Sequence, residues 1–300
     1  MPHDLPPDRA PTVAPIGDFL PDAFTEAESR RGHLERVRGA RTGFDRLDAL
    51  IGGLRAGSLY VIAGRPGIGA TPLAVALARG AASQPTEPAD VLWVPLRDAP
   101  FIPTLAFVQA EASAAPPSDL PPRDAHEPWR AHVAAAERVH GLPISLLACA
   151  NSDRGSIEGA VRAWAASASD RRVVVIDDAD TLFSPRTPST PTGRALLQLA
   201  RDTQVALVLI GPVSRRVERR RASRHRPQLS DLALPSSVEH AADVVIFAYR
   251  ASYYEARPRR ADPRELELLI LKNRFGPTSS ERLTFDEEHR AVVPRRRDGL

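Results

Sequence analysis

A chain of 300 residues with 43% hydrophobic content can bury one substantial core and at most a small appendage. The formal charge is only +3, yet the pI is near 9.5 and arginine carries almost all of the positive charge, which suits bidentate contact with phosphate or carboxylate or reflects a bias in genomic base composition. The one cysteine, Cys149, excludes an internal disulfide framework and a cysteine-rich metal site and reads as a buried thiol; with no apolar run of about 18 residues and no signal pattern at the N-terminus, a cytoplasmic protein without a membrane span is expected.

Residues 1–22 are proline-rich, with the composition of a disordered tail. Residues 23–41 form an arm: 23–38 has helical composition and a weak apolar face through Phe24, Ala27, Leu34 and Val37. That face suits either a linker helix or a helix packed on its own core. The main domain runs over 42–293. In it, Phe44, Leu47, Leu50 and Ile51 fit a short amphipathic helix ended by Gly52-Gly53. Strands are predicted at 59–63, 91–96, 173–177, 205–210, 243–247 and 266–272. Most are continuously apolar, as parallel strands covered on both faces are. Helices are predicted between them at 72–82, 101–114, 128–140, 155–168 and 193–202. The alternation predicts an α/β fold, a mostly parallel central sheet flanked by helices. Proline- or charge-rich loops fall at 115–127, 184–192 and 256–264, and a basic tail closes the chain at 294–300. No internal repeat is present.

After the first of these strands comes Gly64-Arg65-Pro66-Gly67-Ile68-Gly69-Ala70-Thr71. This is the frame of a phosphate-binding loop, GxxxxGK[ST], with Ala70 in the lysine position. The loop's backbone and the following helix N-terminus can still face phosphates. The ammonium that reaches the β- and γ-phosphates is gone. Thr71 keeps a hydroxyl for Mg²⁺, and Pro72 sits in a first helical turn, where its missing N–H costs little. A glycine turn of coincidental spacing is the plainer alternative. The strand VVVIDD ends at Asp177, followed by Asp178 and Asp180; Asp177 reads as a Mg²⁺-holding carboxylate or as a polar strand end facing solvent.

Residues 215–226, RRVERRRASRHR, hold seven arginines and one acid, Glu218. Arg215, Arg216, Arg219, Arg220, Arg221 and Arg224 are candidate contacts to nucleic-acid phosphates, the alternative being a solvated charge run. No aromatic residue interrupts the block, so base stacking is not indicated. The chain's only lysine, Lys272, lies in LILKNRFGPTS with Arg274 two residues on. At a strand end the two point the same way, as a cationic finger for a phosphate would.

Taken in order, TGFDRLDALIGGLRAGSLYVIAGRPGIGAT, VVVIDDAD, SRRVERR, QLSDL, SVEHAADVVIFAYRASYY and LKNRFGPTSSERLTFD resemble the C-terminal motor domain of the bacterial replicative hexameric helicases, the DnaB family with a RecA-like core. The resemblance runs from about Thr42 to Val293. It implies ATP and Mg²⁺ bound between subunits, a homo-oligomeric ring, single-stranded DNA in the central channel, and a linker role for the 23–38 helix. It leaves the family's amino-terminal domain without a counterpart, since about 40 residues precede the core. Carried over position by position, Gly64, Gly69 and Thr71 keep the phosphate loop and Asp177 the metal carboxylate, while Lys272 and Arg274 match the trans-acting finger. Three positions depart. Ala70 replaces the lysine, Arg97 stands where a carboxylate activates water, and Pro212 replaces the glutamine that senses the γ-phosphate. ALPS after QLSDL also departs from the family's DNA-channel loop. Together these changes imply a helicase-like nucleotide- or DNA-binding protein of replication or DNA metabolism with weak or no hydrolysis. An active ATP-dependent helicase with a divergent loop, and a non-catalytic partner of an active helicase in a mixed assembly, are the alternatives.

Overall fold

The computed structural model describes residues 15–21, 24, 37–114, 127–148, 154–183, 193–220, 225–254 and 262–295. The tails expected at 1–22 and 294–300, the loops at 115–127, 184–192 and 256–264, most of the helix expected over 23–38, and Cys149 fall wholly or largely outside them. Near the N-terminus, Ile16–Phe19 form a 3-10 turn, and Ile16, Leu20 and Phe24 are exposed at four-residue spacing.

Helix α1 (Asp45–Ile51) is anchored by the buried Asp48, whose carboxylate accepts from the Thr42 backbone N–H at 3.0 Å and from its hydroxyl at 2.9 Å. Burial raises the Asp48 pKa, and the Thr42 hydrogen bonds act against that rise. Gly52 ends the helix in the left-handed region, with φ 73°. Then follow β1 (Leu59–Gly64), α2 (Ala70–Ala82), β2 (Asp90–Pro95), α3 (Phe101–Ala114), α4 (Glu127–His140) and β3 (Ile144–Leu146). The second half continues with α5 (Arg154–Ser167), β4 (Arg172–Asp177), α6 (Gly193–Thr203), β5 (Ala206–Pro212) and α7 (Ser236–Ala241). It closes with β6 (Val244–Tyr249), α8 (Ala251–Tyr254), β7 (Glu265–Asn273), β8 (Ser279–Asp286) and β9 (Ala291–Pro294).

These strands form one sheet in the order β3-β2-β4-β5-β1-β6-β7-β8-β9. The first six run parallel, and β7, β8 and β9 extend the sheet antiparallel. Alternation along β1 divides the core between two layers. Tyr60 and Ile62 pack with Leu73, Trp93 and Phe107 on the face covered by α2 and α3; Leu59, Val61 and Ala63 pack with Ile157, Leu196 and Val238 on the face of α5, α6 and α7. Each fully buried Leu or Ile stabilises by roughly 1.5–3 kcal/mol. The polar end of Tyr60 is also satisfied: its hydroxyl donates to the Gly53 carbonyl at 2.9 Å and accepts from the Arg55 N–H at 2.7 Å.

All six predicted strands and the five predicted long helices are present to within two residues. The elements predicted from sequence do not include β3, β8, β9, α7 or α8. Strand β3 has only three residues and α7 six, too few for a period to register. In β8 only the segment around Leu283 and Phe285 buries alternate residues. Where β6 meets β7, Val245 pairs with Lys272 and Ile246 with Ile270, so Leu271 is an extra residue in a bulge.

Candidate nucleotide cleft and arginine turn

A cleft of about 590 Å³ opens at the C-terminal ends of the parallel strands, where open α/β sheets bind their ligands. Gly64 ends β1, and a Cβ there would lie 2.6 Å from the Ile68 Cγ2. Gly67 and Gly69 have φ of 80° and 113°, which glycine alone enters freely. The turn they make delivers the chain to Ala70, the first residue of α2. N–H groups at a helix start lack intrahelical acceptors, and Gly69, Ala70 and Thr71 all line the cleft. Ile68, counted with the loop in the sequence, is instead fully buried beneath it.

Thr71 and Asp177 meet in this cleft. The Thr71 hydroxyl donates to an Asp177 carboxylate oxygen at 3.3 Å, and the Asp178 N–H donates to the same oxygen at 3.0 Å. Burial, and next the charge of Asp178, push the Asp177 pKa up to about 7. A buried carboxylate beside further acids is an environment short of positive charge. That donor set fits a magnesium ion completed by nucleotide phosphates and water. Among the described residues no group of three or more His, Cys, Asp or Glu is placed to hold a metal alone. A Mg²⁺ ion held there would supply charge neutralisation to nucleotide phosphates; this chain's part would be the threonine hydroxyl, the carboxylate and the glycine turn. Asp178 itself sits at φ 55°, a conformation that Asp tolerates better than most residues.

Ala70, Arg97 and Pro212 all border the cleft. Ala70 opens α2 and has no cation to offer. Arg97, beyond β2, donates to Asp180 at 2.7 Å and to the Thr181 hydroxyl at 3.2 Å, and lies 3.7 Å from Asp178. Pro212, at the end of β5, lines the cleft and has no N–H. Arg65 is tied to the segment beyond β5: Nε pairs with Glu218 at 2.7 Å and a terminal nitrogen donates to the Val213 carbonyl at 3.0 Å. Three further cleft residues, Phe285, Glu287 and Arg290, come from the β8–β9 hairpin. A Cβ on Gly69 would lie 3.1 Å from the Phe285 ring. The run Arg282-Leu283-Thr284-Phe285 carries the period-two signal that locates this hairpin.

The arginine block begins as a 3-10 turn, Arg215–Arg219, capped by the Ser214 hydroxyl, which accepts from the Arg216 N–H at 3.3 Å. QLSDL holds it in place, because the Ser214 N–H donates to the Asp231 carbonyl at 2.8 Å and Val213 bridges Leu232. Arg215, Arg216 and Arg219 are exposed on this turn. Arg220 is not free for phosphate: its guanidinium grips both oxygens of the buried Asp231 carboxylate. Arg221 and Arg224 lie outside the described residues. Arg226 makes a bidentate pair with Glu267 at 2.6 and 2.7 Å. The sequence-predicted finger is engaged within its own chain. Lys272 donates to the Glu239 and His240 carbonyls at 2.7 and 2.9 Å, and Arg274 to Asp243 at 3.2 Å.

The strand order, with a glycine loop joining β1 to α2 and a carboxylate closing β4, defines a RecA-like P-loop NTPase fold. A model of the DnaB-like helicase C-terminal domain matches residues 39–293, and the chain belongs to that family. It is 26% identical over 276 residues to the replicative DNA helicase DnaB of Leifsonia xyli subsp. xyli, covering 90% of this chain and 59% of the relative. It is 25% identical over 287 residues to DnaB of Geobacillus stearothermophilus, covering 93% and 61%. The chain thus spans about three fifths of these relatives. A solved structure of a DnaB-like replicative helicase, described with its interactions with primase, superposes with TM-score 0.77 at 23% identity over 95% of this chain and 67% of that one. An isolated ATPase domain superposes with TM-score 0.78 at 23% identity, covering 95% of this chain and 100% of that domain. No described helix is long and apolar enough to cross a membrane.

Proposed function

We propose that residues 42–293 form the motor-type domain of a helicase-like protein of DNA replication or DNA metabolism. It holds a magnesium nucleoside triphosphate at the Gly64–Thr71 loop and single-stranded DNA near the arginine turn, and it turns the nucleotide over slowly. The observation that carries the binding half is the meeting of the glycine turn with the Thr71–Asp177 pair at 3.3 Å. Slow turnover follows from Ala70, Arg97 and Pro212 sharing that cleft. Removing one preorganised charge from such a site lowers rates by roughly 10²–10³, and a guanidinium does not act as a general base at neutral pH.

A working ATP-dependent DNA helicase is the second reading, and family membership weighs toward it. The relatives above are named as replicative DNA helicases, and three arginines, Arg65, Arg97 and Arg290, line the cleft that lacks the lysine. A cytoplasmic ring of like copies, or a mixed ring with an active helicase, fits either reading. Exposed apolar residues favour such association: Ile16, Leu20 and Phe24 near the N-terminus, and Phe101, Leu105 and Trp129 on α3 and α4. Steady-state ATP hydrolysis, with and without single-stranded DNA, separates the readings. Turnover on the order of 1 per second, abolished by Asp177→Ala, selects the active helicase. Nucleotide binding with far slower release of phosphate supports the first reading, and binding of neither nucleotide nor DNA rejects both in favour of a structural partner.

A further inference from the structure

We propose that Arg97 is the phosphate-binding cation of the cleft, a positive charge moved from position 70 to the end of β2, with the terminal phosphate of a nucleoside triphosphate as its target. The proposal rests on the nucleotide-binding reading above and adds to it the group that replaces the missing ammonium.

The cleft-lining arginines differ in how they are held. Arg65 is 10% exposed and fixed at both ends of its guanidinium, by Glu218 and by the Val213 carbonyl. Glu218 is itself 41% exposed, but moving the largely buried guanidinium would take its donor from the Val213 carbonyl, so Arg65 braces the loop. Arg290 is an exposed residue on the β8–β9 turn. Arg97 differs from both. Its side chain is 56% exposed, and its partners Asp180 and Asp178, at 2.7 and 3.7 Å, are themselves partly exposed. Ion pairs so open to solvent and salt are weak. The guanidinium therefore exchanges a carboxylate for a phosphate at small cost, and a phosphate offers two or three acceptor oxygens with more charge.

Placement agrees with the role. Pro95 pairs with Asp177 in the β2–β4 register, so Arg97, two residues further, stands beside the strand end that carries the metal-type carboxylate. Arg97 lines the same cleft as Thr71 and Asp177 and comes within 3.7 Å of Asp178, the residue that follows Asp177 in the chain. Charge balance favours it. Glu287 has Arg250 as its partner at 2.6 Å; without Arg97, the carboxylates of Asp177, Asp178 and Asp180 would face, among the described cleft residues, only Arg65, already paired, and Arg290. A polyanion would meet net repulsion at the cleft. With Arg97 turned from its acids to the ligand, the cleft regains a cation that position 70 lacks.

The test titrates the full chain with magnesium complexes of a fluorescent non-hydrolysable ATP analogue and of the matching ADP analogue, and repeats this for Arg97→Ala, Arg97→Gln and Arg97→Ala/Ala70→Lys. Melting temperatures establish which variants fold, and Arg97→Gln decides by the same criteria if Arg97→Ala does not. The expected loss is about tenfold or more for the triphosphate and under about twofold for the diphosphate, with most of it recovered when lysine enters at position 70. Unchanged triphosphate affinity in a folded variant, or equal losses for the two nucleotides, overturns the assignment of Arg97 alone. A parent chain that binds neither analogue overturns the nucleotide-binding reading, and the assignment with it.

Discussion

Replacing Ala70 by lysine returns an ammonium to the first residue of α2 without removing any contact that a methyl group cannot spare. Position 70 is half-buried and borders a cleft of about 590 Å³, so a flexible side chain has room to extend. At about 4 Å from a phosphate charge and an effective dielectric of about 20, the Coulomb attraction is roughly 4 kcal/mol. Desolvation of both groups leaves roughly 1.5–3 kcal/mol for a hydrogen bond to a charged partner. That is about 10- to 150-fold in triphosphate affinity. Hydrolysis is expected to gain far less. On the reading proposed above, Arg97 occupies the place of a general base, a group that contributes about 10²–10⁴, and Pro212 still offers no N–H donor. Groups that act as a unit do not recover one at a time. The assay pairs equilibrium nucleotide binding with steady-state phosphate release, with and without single-stranded DNA. Turnover on the order of 1 per second in the Ala70→Lys protein would refute the view that the three positions act together, and unchanged affinity would refute phosphate binding at the start of α2.

Neutralising the exposed Arg215, Arg216 and Arg219 together is expected to weaken DNA binding on every sequence and to flatten the slope of log K against log salt by up to about three units; an unchanged isotherm would remove the turn from the DNA interface. Arg220→Ala is expected to act on stability instead, lowering the urea midpoint by the equivalent of about 1–3 kcal/mol, because the buried Asp231 loses its partner. Tyr60→Phe is expected to cost about 1–3 kcal/mol in the same denaturation assay by leaving the Gly53 carbonyl and Arg55 N–H without the hydroxyl. At Asp286, burial raises the pKa, but hydrogen bonds from Ser113 and from the His289 backbone and ring outweigh it and hold the carboxyl below its ordinary value. A depressed folded pKa means stability that is present above the unfolded value and is lost as pH falls through the folded one. Ser113→Ala should therefore destabilise at neutral pH, with a difference that shrinks toward acid in melts across pH.

Apart from the three-residue β3, the parallel strands were legible because they are covered on both faces and so read as unbroken apolar runs such as Val173 to Ile176. Strands β8 and β9 were not, because only Leu283 and Phe285 alternate in burial along β8 and β9 has four residues, too few for a period; the cleft residues of their hairpin, Phe285 and Arg290, stayed out of view with them. The glycine loop and Asp177 were legible from spacing, since backbone geometry and residue type together define them. Which cations are free was not. Nothing local marks Arg220 as the partner of Asp231 while Arg219, its neighbour, stays exposed. The same holds for Lys272, whose acceptors belong to α7, with β6 and α8 between them along the chain. Periodicity records burial, whereas ionic partnership is decided by where the chain crosses itself.

Lys272 also gives this protein an unusual chemical handle. It is the only side-chain primary amine among 300 residues, and burial, followed by the charge of Arg274, lowers its pKa. Its Nζ is held by two carbonyls at the end of α7. An acylating reagent needs that nitrogen deprotonated and released from both acceptors. The rate of acylation is therefore a clock for the local opening of the α7–β6 junction, read from one site rather than averaged over many. Lysine-specific proteolysis inherits the same single address, and amine-reactive cross-linkers have only the α-amino group as a second one, so a neighbour captured at Lys272 is located in the fold by the act of capture.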